Sequence, residues 1–323
     1  MWANLFRQRE YGLMLLIGLI TAVVALNDPG FLSVENLRDI LVRCAPTIIV
    51  ACGVMLVIVT AEIDISVGSL MALLAAVMGL MISENEWGMS LWIGVPLTLL
   101  MGTIIGVATG ALVTFGKVPS IIVTLGLLTA LRGTTTLIMG GENIAGMPTG
   151  LADLSKFGVM GVPLGVWVAV VVVFVTWGII THTPLGRRLF ALGSSSYSAK
   201  MTGLSETKLK LFVFGYTGFL TALATVVDVP RLPKIEAGIG SGFELLVVTS
   251  VVVGGVSISG GRGRLWGVLL AVFLMTMIRP VLTFMDVGEQ GEKWTKAIQG
   301  GFILLAVVSD SWGSGRRPKG VAG

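Results

Sequence analysis

"VTAEIDISVGSLMALL", residues 59–74, places Glu62 and Asp64 two positions apart in an otherwise apolar stretch. Only Ala61, Ile63 and Ile65 surround them, and apolar runs extend on both sides. A break between two apolar helices accounts for the pattern. The chain stops near Thr60, turns, and restarts near Val67. Asp64 or Ser66 can cap the restarting helix, whose first N–H groups have no partner of their own. A carboxylate there also meets the positive end of the helix dipole. Glu62 has no such role, and is expected either to pair with an arginine or to line a path.

The whole chain agrees with this reading. Its 323 residues are 54% hydrophobic and only 12% charged, against about 25% charged in soluble domains. Several apolar runs approach the roughly 20 residues that cross a bilayer. The expected fold is an all-α polytopic membrane protein, a single domain over 1–323, with a lipid membrane around it and no nucleic-acid partner. The 44 glycines suit close helix packing in lipid. About ten spans are expected, near 11–27, 36–60, 66–82, 90–115, 120–140, 165–182, 211–228, 243–258, 264–285 and 296–310. The third and eighth are short, as in broken or re-entrant helices. The first, behind Arg7 and Arg9, reads as an uncleaved span, since no small-residue cleavage site follows.

Lys and Arg set the orientation. With the N-terminus inside, the inner connections hold Arg7, Arg9, Lys117, Arg187, Arg188, Lys200, Lys208, Lys210, Arg262, Arg264 and the basic tail. The outer ones hold Lys156, Arg231, Lys234, Lys293 and Lys296. Both termini are therefore placed in the cytoplasm. The longest inner stretch, 183–210, is too polar to span and reads as short helices separated near Gly193 and Ser194. Leu185, Leu189 and Leu192 give it one apolar edge, and Gly186 and Gly193 flank that edge.

Four arginines lie near or within apolar segments. Arg38 and Arg43 can snorkel or pair with Glu35 and Asp39. Arg132 and Arg279 lie deeper, where a charge costs several kcal/mol and must face protein or water. Either a structural ion pair or a pathway role fits Arg132. Pro280 should kink the helix after Arg279 and free a carbonyl. Cys44 and Cys52 read as small buried hydrophobes, and His182 as an interfacial residue at a helix end. No nucleophile–base pair, metal cluster or P-loop lysine is present, so the chain is expected to bind no cofactor and to catalyse no reaction itself.

"EIDISVGS" (62–69), "VPSIIVTLGLLTALRG" (118–133), "TPLGRRLFALG" (183–193) and "SVVVGGVSISGGRGRLWG" (250–267) occur together in order. In this the chain resembles the ribose-type monosaccharide ABC importer permeases, within the group that also serves branched-chain amino acids. The resemblance implies a pore of two permeases, as a homodimer or heterodimer. It also implies ATP-binding subunits on the cytoplasmic face, which hold ATP and Mg, and a periplasmic binding protein that delivers a monosaccharide such as ribose or rhamnose. It places the ATPase contact on Leu185, Gly186, Arg187, Arg188, Leu189, Ala191 and Gly193. Glu62, Asp64, Ser66, Arg132 and Arg279 remain candidates for the pathway or the helix break. Ribose-type members usually carry Gly where Glu62 stands. Branched-chain amino acids or nucleosides are the alternative cargo. An ion-coupled carrier, with Glu62 and Asp64 as ion sites, is the alternative mechanism, although such a carrier has no need of a docking loop. A non-transport scaffold would leave the charges within the spans unexplained.

Overall fold

The sequence periodicities become a helical bundle in a computed structural model that describes residues 9–148, 158–159, 161–287 and 290–314. Its helices are α1 (Arg9–Asn27), α2 (Val34–Val59), α3 (Val67–Ile82), α4 (Leu91–Phe115), α5 (Ser120–Met139) and α6 (Leu164–His182). They continue as α7 (Pro184–Ser194), α8 (Ser196–Met201), α9 (Glu206–Asp228), α10 (Phe243–Val253), α11 (Leu265–Phe284) and α12 (Gly291–Ser314). A two-stranded hairpin, β1 (Gly158–Val159) and β2 (Val162–Pro163), precedes α6. Among the described residues seven helices are long and apolar enough to cross a membrane, and α3 and α10 are shorter apolar helices. The chain is thus all-α and polytopic.

Four expected boundaries move by four or five residues: α12 runs Gly291–Ser314 where 296–310 was expected, and the other two shifts have local reasons. α9 begins at Glu206, because Ser205 caps it by accepting from the Lys208 N–H and the polar first turn is helical. α10 ends at Val253, five residues before the expected 258, because Gly254 and Gly255 follow and Gly255 takes φ 95°.

α2, α3 and α9 form the inside of the bundle. In the most apolar window of α2, 83% of residues are buried, against 11% in α5. α5 therefore exposes its apolar residues outward, as a lipid-facing helix does. Between α4 and α9 the approach is set by glycine. A Cβ on Gly106 would lie 2.4 Å from the Phe214 carbonyl oxygen, and one on Gly218 would lie 2.3 Å from that of Gly102. Thr217, Thr221 and Thr225 bury their hydroxyls on α9 by donating to carbonyls one turn back, so polar atoms are satisfied within the helix.

At the Arg43 end of α2, two connections tie together. Ile144 and Ile235 exchange backbone hydrogen bonds at 3.0 and 2.9 Å, and Asn143 accepts from the Ala237 N–H. Both isoleucines pack on α3 at Gly79.

Candidate functional site

The break after α2 is built by the backbone. The Glu62 N–H donates to the Val57 carbonyl at 3.2 Å and the Ala61 N–H to that of Ile58 at 2.9 Å, the double bond of a Schellman stop. Ala61 holds φ 62° in the position that usually takes glycine. Asp64 is buried and accepts from both the N–H and the hydroxyl of Ser66, at 2.9 and 2.6 Å. It therefore closes a turn ahead of α3, and the Ser66 side chain makes no capping bond. The N-terminus of α5 braces the same turn: Ser120 accepts from the Ile63 N–H at 3.0 Å, and Thr124 donates to the Ile63 carbonyl at 3.3 Å.

A second break lies between α10 and α11, and it meets the first. The Gly261 N–H donates to the Val59 carbonyl at 2.8 Å. The end of α7 fills the remaining side. A Cβ on Gly193 would lie 1.8 Å from the Val59 oxygen and 2.6 Å from the Gly261 nitrogen. Three segments distant in sequence thus share one junction, whose contacts leave room for no side chain at Gly193.

α7 lies against this junction with its apolar face inward. Gly186, Leu189 and Leu192 are buried and Leu185 packs against the core. Arg187, Arg188 and Ala191 are exposed. Thr183 caps the helix by accepting from the Gly186 N–H. A Cβ on Gly186 would meet the Ile179 and Ile180 carbonyls within 2.5 Å, so this glycine makes the α6–α7 corner.

Glu62 finds a lysine where an arginine was one expectation. Its partner is Lys210, at 2.5 Å, and Lys210 also holds Glu206 at 2.6 Å, while Lys200 holds Glu206 at 2.8 Å. The pairing works because α9 starts early enough to bring Lys210 beside the break. The network lines a cavity of about 680 Å³, with Lys117 at its wall.

Arg132 donates from α5 to the Ile239 carbonyl at 2.6 Å, fixing the connection that enters α10. Just beyond, a Cβ on Gly240 would lie 2.5 Å from the Gly68 carbonyl of α3. Arg279 is on α11, which continues through Pro280, and the Thr283 hydroxyl donates to its carbonyl at 3.0 Å. Arg43 and Arg279 line one cavity at this end of the bundle. Among the described residues neither Arg38 nor Arg43 pairs with Glu35 or Asp39. Cys44 and Cys52 are free and buried, and His182 ends α6. Among the described residues no group of three or more His, Cys, Asp or Glu could hold a metal.

Sequence reasoning missed Lys210, Ile239 and the Val59–Gly261 bond. Each depends on a tertiary approach.

The comparisons with known proteins cover the same segments. A family model described as "Branched-chain amino acid transport system / permease component" matches residues 36–307. The ribose import permease protein RbsC of Haemophilus influenzae is 35% identical over 313 residues, 95% of this chain and 94% of that protein. RbsC of Escherichia coli K12 is 35% identical over 296 residues, 90% of each. The autoinducer 2 import system permease protein LsrC of Photorhabdus laumondii is 32% identical over 301 residues, 93% of this chain and 88% of that protein. No solved structure matches the chain.

Proposed function

Since the chain belongs to the branched-chain amino acid transport system permease component family, we propose that it is the membrane subunit of an ATP-driven importer for a monosaccharide. Relatives named as ribose import permeases support the cargo class. Separate ATP-binding subunits, holding ATP and Mg, supply the energy, and a periplasmic binding protein presents the sugar. A second permease copy, identical or related, completes the pore. In this reading the protein sits in the bacterial inner membrane, crosses it about ten times, and keeps both termini in the cytoplasm. The Lys/Arg bias supports that orientation.

The observation that carries the reading is the junction of α7 with both helix breaks. A short helix whose outward face is Arg187, Arg188 and Ala191 rests through Gly193 on Val59 and Gly261. A push on α7 from a docked partner is transmitted by backbone contact to the end of α2 and to the α10–α11 connection, without passing through flexible side chains. The ion-coupled alternative loses its support at the same place. Glu62 is engaged by Lys210 and Asp64 by Ser66, so neither stands free as an ion site.

The test is sugar uptake into proteoliposomes holding the permease and its binding protein, with and without the ATPase. Uptake is expected only with the ATPase and ATP. Uptake driven by an imposed proton or sodium gradient with the ATPase omitted overturns the reading.

A further inference from the structure

At the opposite end of α2 from the α7 junction lies a cavity of about 480 Å³, bounded by α2, the segment from Asp228 into α10, α11 and α12. Sixteen residues of helix separate Arg43 from Val59, or about 24 Å. The cavity walls include Met71, Leu245, Leu246 and Met275, yet Arg43, Arg231 and Arg279 also line it. Asp228 is the one carboxylate among these lining residues, and it is already paired with Arg231. Arg231 keeps a buried Nε with no acceptor. Among the described residues the guanidinium groups of Arg43 and Arg279 have no ion-pair or hydrogen-bond partner.

Arg43 and Arg279 are both exposed at this cavity, so their guanidinium groups meet solvent and no protein carboxylate. Low-dielectric walls around like charges focus their field on an anion that enters. The guanidinium fork matches carboxylate and phosphate oxygens with two parallel hydrogen bonds. The volume falls in the range of small-molecule sites. A neutral sugar would leave this excess of positive charge uncompensated.

We propose that this cavity binds an oxyanion, a carboxylate or phosphate group, on Arg43 and Arg279. Where the oxyanion comes from rests on the importer reading: a sugar acid or sugar phosphate as cargo supplies it, and the headgroup of an anionic phospholipid has the same chemistry.

The full-length chain in phosphatidylcholine nanodiscs is titrated with D-galacturonate and with inorganic phosphate. Neutral D-galactose and sodium chloride at matched ionic strength are the controls, and the thermal midpoint is the readout. In parallel, native mass spectrometry follows retention of phosphatidylglycerol against phosphatidylcholine. The expected result is an anion-specific rise in midpoint, or selective retention of phosphatidylglycerol, with affinity at least about tenfold weaker in the double variant Arg43→Gln, Arg279→Gln. The corresponding double Lys variant should fall between, since it keeps charge but loses the fork. A response to soluble anions assigns the site to cargo, and phosphatidylglycerol retention alone assigns it to lipid. The proposal is overturned if neither signal differs between wild type and a double Gln variant that is monodisperse and has an unchanged ligand-free midpoint. If the double variant does not fold, Arg279→Gln alone, at an exposed position, is read by the same criterion. No ATPase or binding protein takes part, so the outcome is independent of the uptake test of the importer reading.

Discussion

Glu62 and Lys210 are each largely enclosed, with 14% of either side chain exposed, so their ion pair escapes much of the screening that weakens surface pairs. Lys210 also retains Glu206, which limits the loss when Glu62 is removed. Glu62→Gln is therefore expected to cost about 1–2 kcal/mol, and a double-mutant cycle with Lys210→Met should show coupling of similar size. A stable Glu62→Gln protein that cannot transport would instead make the carboxylate a participant in translocation. Asp64 makes a sharper case, because its acceptor serves a buried N–H. Asp64→Leu leaves the Ser66 N–H without a partner and should lower stability by about 1–3 kcal/mol. Asp64→Asn keeps an acceptor oxygen and should lose less. Equal midpoints for Asp64→Leu and wild type in thermal unfolding would refute this account of the turn. Ala61 offers a gain: at φ 62° a glycine relieves backbone strain, and Ala61→Gly should stabilise by about 0.5–1 kcal/mol.

Among the elements, α4 and α9 approach where glycine removes the side chain, and that predicts a contrast between two positions. Gly106→Leu must push against the Phe214 carbonyl and Gly218 and should cost at least about 1–3 kcal/mol. Gly126→Leu on α5 meets nothing within 4 Å and should leave the thermal midpoint near wild type. For α7 the two faces separate stability from coupling. Gly193→Ala drives a Cβ into the Val59 carbonyl and should lower the midpoint. Arg188→Glu on the exposed face should leave the midpoint unchanged while weakening capture of the ATPase in a pull-down. The same residue cannot serve both purposes, and Gly186→Trp would distort the α6–α7 corner before it tested any docking.

Across the whole molecule, the topology can be read from thiol access. Cys44 and Cys52 are buried, so their background labelling by an aqueous reagent should be low. Cysteines at Ala191 and at Lys234, both exposed, should react with an impermeant reagent from opposite sides, Lys234→Cys from the periplasm. Labelling of both from one side would reject the proposed orientation. Asp153, another position in the outer stretch, lies outside the described residues.

The sequence by itself determined the class, the order of the apolar helices and the location of the break between α2 and α3. Those features are local: composition sets the solvent the chain can tolerate, and Gly, Ser and Asp act on their own neighbours in the backbone. "EIDIS" was legible as an interruption for that reason, as was the amphipathic edge of 185–192. Only the tertiary structure decided which way that edge faces, and it turned Leu189 and Leu192 into the bundle. It also decided that Glu62 meets Lys210 and that Arg132 reaches Ile239. It brought Arg43 and Arg279 to one cavity. The physical reason is the solvent. In water a helix shows its buried face by contrast with a polar one. In lipid both the packed and the exposed faces are apolar, so a run such as "VWVAVVVVFVTWGII" (166–180) announces a helix and hides its neighbours.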